Sequence, residues 1–244
     1  MVFKSWTFRV MVAACLMAGG TTQAWAQAET IHRATDPRTG AEVRVSGSSA
    51  GVVLELAAPG MTLTKRSEAG RVITVVRTAK DELTVEASRA AIVVSGRGAR
   101  VEVTSARPDR LKEAQAVIAR STAAADVGRL LGRVSFGQFS PLTLTLLSTR
   151  SMLLGPAEAA EVRRAQTELL QQMAAQPRAL RVSSQSSPTD CWDKYVREAI
   201  AAYTEYEDCL RNSGFWGDFA CDIVYDMRAV GAFYWWAKCN AIKV

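Results

Sequence analysis

The sequence predicts an exported protein of α+β class, with an N-terminal antiparallel β-meander or small sandwich, a helical middle region, and a C-terminal antiparallel helical hairpin with two disulfides. Three observations predict it. Between Val43 and Val103 apolar residues alternate with polar ones in short runs separated by turn residues, as expected of antiparallel strands with one covered face. At Pro108 the hydrophobic period changes from about two to about 3.6 residues. Cys191 and Cys209 are 18 residues apart, and Cys221 and Cys239 are 18 apart again. At about 3.6 residues per turn that is about five whole turns, so each pair lies on one stripe of its own helix.

Residues 1–26 read as a signal peptide. Lys4 and Arg9 form a positive n-region, Val10 to Ala18 a short apolar run, and Ala24-Trp25-Ala26 a small-x-small cleavage site with Gln27 as the mature N-terminus. The run is too short for a membrane span of about 20 residues. A lipobox at Val12-Ala13-Ala14-Cys15 would leave very little apolar sequence after Arg9, so ordinary cleavage is preferred. Cys15 leaves with the leader, and the remaining four cysteines suit a disulfide framework in a periplasmic or secreted protein. None of them shows the close ligand spacing of a structural zinc site, so no metal and no cofactor is expected. Cleavage also lowers the formal charge from +6, because Lys4 and Arg9 are removed. The mild, scattered surplus argues against nucleic acid and supports at most weak attraction to anionic surface polymers or lipids.

Residues 27–106 are the β-region. Gln27 to Gly40 reads as a polar lead-in with turn signals at Asp36-Pro37 and Thr39-Gly40. The pairs Val43/Val45, Leu54/Leu56, Ile73/Val75, Leu83/Val85, Ile92/Val94 and Val101/Val103 mark strands. Six or seven strands fit, with Thr62-Leu63-Thr64 as a weak one. Residues 107–182 are helical. Pro108 suits a first helical position, and Leu111, Ala114, Ile118, Val127, Leu130 and Leu131 continue one stripe to about Arg133. A short apolar helix follows from Ser140-Pro141 to Leu154, and a third runs from Gly155-Pro156 to about Gln176. Residues 183–187 are a serine-rich linker. Ser187-Pro188-Thr189-Asp190 then reads as an N-cap, an N1 proline and an early acid, opening the hairpin of residues 188–244.

Helix geometry selects the cysteine pairing. Within one helix, Cys191 and Cys209 would stand about 27 Å apart at about 1.5 Å per residue, beyond the roughly 7 Å that a disulfide spans. The breakers Asn212, Ser213, Gly214 and Gly217 leave a connection too short to return a full helix length, which rules out parallel helices. Cys209–Cys221 near the turn and Cys191–Cys239 at the base remain. On a helical wheel the first helix is amphipathic. The second is apolar nearly all round, interrupted by Asp222, Asp226, Arg228 and Lys238, and must be covered on more than one side. The cover could be the helical middle region, another chain or a membrane surface. In outline the hairpin resembles the disulfide-stapled helical hairpins of small plant defence peptides and the twin-cysteine hairpins of the mitochondrial intermembrane space, which also use two equally spaced cysteine pairs. That resemblance implies a stapled helix pair and no activity.

Chemistry-bearing motifs are sparse, so no catalytic residue is assigned. Asp222 and Asp226 share a helix face, where paired carboxylates can do acid/base work or hold a hard cation; acids near a helix N-terminus also suit the macrodipole. His32, the single histidine, is expected to be solvated in the lead-in. Ser95-Gly96-Arg97-Gly98 is a turn, since a strand rather than a helix follows it. Phe215 and Trp216, between glycines and behind the Cys209–Cys221 bond, are the candidate partner contact. The expected function is a non-enzymatic interaction protein, exported to the periplasm or secreted, that presents the hairpin to a protein or cell-envelope partner. The alternatives are an extracellular hydrolase or cation-dependent enzyme using the hairpin carboxylates, and a membrane-active effector. No transmembrane helix is expected in the mature chain.

Overall fold

The structure, a computed structural model, describes residues 29–48, 51–68, 70–88, 90–104, 106–134, 141–154, 156–175, 188–212 and 217–241. Eight strands follow one another: β1 Glu29–Thr35, β2 Glu42–Ser48, β3 Gly51–Ala58, β4 Met61–Glu68, β5 Arg71–Thr78, β6 Glu82–Ser88, β7 Ala91–Gly96 and β8 Ala99–Thr104. They form a single antiparallel sheet in sequence order, a pure meander. The turns carry the left-handed conformations that tight hairpins need. Arg97 and Gly98 link β7 to β8 with φ of 49° and 77°. At Gly51 a Cβ would stand 1.9 Å from the Ser67 carbonyl oxygen, so only glycine fits beside β4.

The eighth strand lies where a polar lead-in was expected. β1 is an edge strand whose pairing with β2 slips between Thr30 and His32, and such a bulge erases the strict alternation by which strands are recognised. From β2 onward the alternation is regular. Val43, Val45, Leu54, Leu56, Leu63, Val72, Val76, Leu83, Val85, Val94 and Val103 are buried on one face. The other face carries Arg44, Glu55, Arg66, Arg77 and Glu102, all exposed, a division typical of an antiparallel sheet with one covered side.

After a 3₁₀ turn at Pro108–Arg110, the described residues form six helices: α1 Leu111–Arg120, α2 Thr122–Leu131, α3 Pro141–Leu153, α4 Pro156–Ala175, α5 Pro188–Arg211 and α6 Gly217–Ala241. The single stripe expected from Leu111 to about Arg133 is therefore two helices. Ser121 is extended (φ −76°, ψ 119°) and caps α2 by accepting the Ala124 N–H. Its hydroxyl donates to Asp81 Oδ2 at 2.9 Å, in the β5–β6 turn. Asp81 also accepts from the Ala123 N–H and from Thr122 and Arg97. Burial opposes its charge, yet these donors outweigh it and hold the carboxyl below its ordinary range. The apolar period ran on through Ser121 because both helices bury the same face against the sheet.

Helix α1 lies over β7 and β8, α2 over β4 to β6, and α6 over β1, β2 and β4. Helix α3 packs against α2, α4 and α6, and α5 against α4 and α6. One apolar cluster joins the sheet's covered face to α1, α2, α3 and α6 through Val117, Val127, Leu146, Ile223, Val230 and Phe233. Phe233, 1% exposed, is worth about 1.5–3 kcal/mol of burial. Helix α6 also contributes Ala232 and Trp236 to a second cluster with α3, α4 and α5, and Cys221 and Tyr225 to a third with α5. What covers the second hairpin helix is thus this chain itself.

Candidate functional site

The described polar chemistry concentrates in a buried seam where α3, α4, α5 and β4 meet α6. It begins with a lysine on the covered face of the sheet. In β4, Leu63 points inward, so by period two Lys65 points inward too, lying opposite Leu54 and Thr74 on the neighbouring strands. Its ammonium pairs with Asp226 of α6, the two side chains being 0% and 2% exposed, and donates to Thr149 Oγ1 of α3 at 2.6 Å. The other carboxylate oxygen of Asp226 accepts from Ser148 at 2.8 Å and Thr149 at 3.0 Å. Each hydroxyl has one proton, and each also lies within reach of the Thr145 carbonyl; the proton serves one acceptor at a time. Desolvation lowers the Lys65 pKa, and the attraction of Asp226 works against that shift.

One helical turn away, Asp222 repeats the pattern. Ser151 donates to Asp222 Oδ1 at 2.9 Å, Tyr206 of α5 donates to the same oxygen, and Arg163 of α4 lies 3.8 Å from Oδ2. Helices α3 and α6 run antiparallel here, so Ser148 and Ser151 meet Asp226 and Asp222 in reverse order. Burial raises the Tyr206 pKa, and the negative charge of Asp222 raises it further. Tyr206 stacks on Tyr225, with ring centroids 4.8 Å apart, and burial likewise raises the Tyr225 pKa. The Tyr225 hydroxyl and both polar atoms of the Gln166 amide are buried without a hydrogen-bond partner among the described residues. Buried groups of this kind commonly hold ordered water.

Two disulfides close the layer above. Cys191–Cys239 has a Cα separation of 6.0 Å and Cys209–Cys221 one of 5.8 Å. They close loops of 48 and 12 residues, worth about 4 and about 3 kcal/mol in the chain-entropy model. Cys221 packs with Tyr206 and Tyr225, so the turn bond seals one end of the polar seam.

The sequence-derived candidates fall into four groups. The four cysteines are bonded as above. Asp222 and Asp226 do come together with polar partners, but in the interior rather than in a cleft. Phe215, Trp216, Ala24, Ala26 and Gln27 lie outside the described residues. His32 is not solvated as expected: it is half-buried on β1, with its ring 6.2 Å from those of Phe233 and Trp236 in edge contacts, and burial lowers its pKa. Lys65, Ser148, Thr149, Ser151, Arg163 and Tyr206 were not singled out from the sequence. For Lys65 the signal was available, since it follows Leu63 by two in an alternating run.

Known proteins supply no further constraint. No protein-family model, curated protein or solved structure matches the chain. Among the described residues no group of three or more His, Cys, Asp or Glu could hold a metal ion, and no helix is long and apolar enough to cross a membrane. Chemically, a lysine touching a threonine hydroxyl is a base–nucleophile pair. Here its proton donors and acceptors are engaged with one another, and Thr149 is 1% exposed. The group ties α3 and α6 to β4, with all three side chains in the interior.

Proposed function

We propose that this is an exported, non-enzymatic interaction protein of the periplasm or cell exterior, which contacts a protein or cell-envelope partner with its outer surface. The observation that carries the reading is the sealed polar seam: Lys65, Thr149 and Asp226 are at most 2% exposed and are mutually satisfied, which leaves recognition to the surface. The two disulfides support an oxidising destination, and residues 1–26 have the layout of an export leader. Because α6 is covered by its own chain, the hairpin acts as a clamp over the core. The segment between its two helices, with Phe215 and Trp216, remains the first contact to test.

Fractionation of the native cell with N-terminal sequencing tests the destination: a chain beginning at Gln27 and carrying both disulfides is expected, and a cytoplasmic chain retaining residues 1–26 overturns export. Trp216→Ala is expected to weaken capture of an envelope partner with both disulfides intact. Hydrolytic activity that disappears in Asp226→Asn, with an unchanged thermal midpoint, would favour the enzyme reading instead.

A further inference from the structure

A surface pocket at the C-terminal end of α2 carries chemistry that the seam does not use. It has a volume of about 420 Å³ and is lined by Arg129 of α2, Arg133 just past the C-terminus of α2 and Arg150 of α3, against one carboxylate, Asp126, and an apolar wall of Met61 and Leu130. Asp126 is ion-paired with Arg129. Basic residues near a helix C-terminus favour the macrodipole, which accounts for Arg129 and Arg133. Arg150 belongs to another helix and is held across to α2 by its Nε, which donates to the Gly128 carbonyl at 3.2 Å. Its Cζ and Nη2 lie 3.0 and 3.1 Å from where a Cβ on Gly132 would stand, so the guanidinium rests directly on that glycine. Gly132 has ordinary right-handed dihedrals (φ −74°, ψ −12°), so the backbone there does not require glycine. A Cβ there would instead press on the Arg150 guanidinium and shift it by a few tenths of an ångström.

We propose that this pocket binds a phosphate-bearing group. Three guanidiniums against one carboxylate leave a surplus of positive charge that a phosphate monoester, carrying about −1.5 to −2, would match. The guanidinium fork matches phosphate oxygens in paired hydrogen bonds. Met61 and Leu130 give the apolar side on which the body of an ester can rest. A free phosphate and a lipid headgroup share this chemistry. The inference goes beyond the proposed role and does not depend on where the protein is delivered.

The test uses the full oxidised chain. Calorimetric titration with inorganic phosphate probes the free anion, and co-sedimentation with phosphatidic acid vesicles, against phosphatidylcholine vesicles, probes the headgroup. Saturable binding to at least one probe is expected, and the probe that binds identifies the source. Arg133→Ala, at an exposed position, should weaken it about tenfold, the effect of losing one charge-assisted contact. Gly132→Ala should weaken it as well by lifting Arg150 from its seat, with an unchanged thermal midpoint. Arg77→Ala, on the sheet's open face, should leave it unchanged. Failure of both probes overturns the proposal, as does binding that neither Arg133→Ala nor Gly132→Ala alters.

Discussion

Helices α5 and α6 have 24 and 25 residues and share both disulfides, yet they treat charge in opposite ways. Helix α5 turns Arg197, Glu198, Glu205 and Asp208 to solvent and buries Tyr195, Ala199, Ala202 and Tyr206. Between Cys221 and Cys239, α6 exposes a narrow stripe of Val224, Arg228, Gly231 and Lys238, while Asp222 and Asp226 are buried. On an amphipathic helix a charge marks the solvent side. On a helix covered nearly all round, a charge is either in the one open stripe or committed to partners on other elements. The difference between the two helices locates the polar seam.

The largest effect should come from separating the pair that joins α6 to the sheet. Removing one member of a buried ion pair strands the other charge and costs about 3–5 kcal/mol. Lys65→Met and Asp226→Leu are each expected to lose stability on that scale in urea unfolding of the oxidised protein. The double variant should recover most of it, because an apolar replacement of the whole pair removes both desolvation costs. A single-variant loss below about 1 kcal/mol would place this pair with ordinary surface ion pairs and erase the contrast between the helices.

Alkaline titration probes the same interior with an intermediate effect. Burial raises the pKa of Tyr195, Tyr203, Tyr206 and Tyr225 above the ordinary 10.0. A group whose pKa is raised by folding contributes stability that is present below the unfolded value and is lost as pH rises through the folded one. Lys65 has the opposite sign, since its pKa is lowered, but it is one group against four tyrosines. Stability should therefore fall above about pH 10, in the range where the unfolded chain's tyrosines ionise. Tyr225→Phe removes a buried hydroxyl that lacks a partner among the described residues. It should be neutral or stabilising at pH 7 and should flatten the alkaline limb; a large loss at pH 7 would mean that the hydroxyl is satisfied.

The contrast between the helices also explains what the sequence did and did not disclose. Helix rise and the short connection were enough to pair the cysteines, because 18 residues of helix separate two of them by far more than a disulfide spans. The sheet's strands were legible from their alternation, but in β5 the pair that marked the strand, Ile73/Val75, lies on the open face. Val72, Thr74 and Val76 are the covered set there, because a run apolar at both parities does not say which face is inward. Strand β4 read as weak because its inward set, Met61, Leu63, Lys65 and Ser67, is half polar, and that weakness is where the seam begins. The hydroxyls of α3 gave no pattern, since Thr145, Ser148, Thr149 and Ser151 suit an exposed helix as readily as a buried one. Their role depends on long-range partners: Ser148 and Asp226 are 78 residues apart in sequence. Asp222 and Asp226 were seen as a pair on one face, but the identity of the facing groups is set by topology, which local periodicity does not encode.

The smallest effect should come from a charge beside the seam that stays outside it. Arg228 follows Asp226 by two residues, which turns it to the solvent stripe. It pairs with Glu205 of α5 at 2.6 Å, with the side chains 49% and 55% exposed. Such a pair gains little in water and loses side-chain freedom, so its expected coupling is about 0–1 kcal/mol and falls with added salt. A double-mutant cycle on Arg228→Ala and Glu205→Ala, read at low and high salt, measures it. Asp226 and Arg228 share one helix and the same two disulfides, so a coupling of Arg228 as large as that of Lys65 with Asp226 would mean that the hairpin itself, rather than burial, sets the energies. A small, salt-sensitive value assigns the difference to burial, since Arg228 lies on the stripe of α6 that points outward.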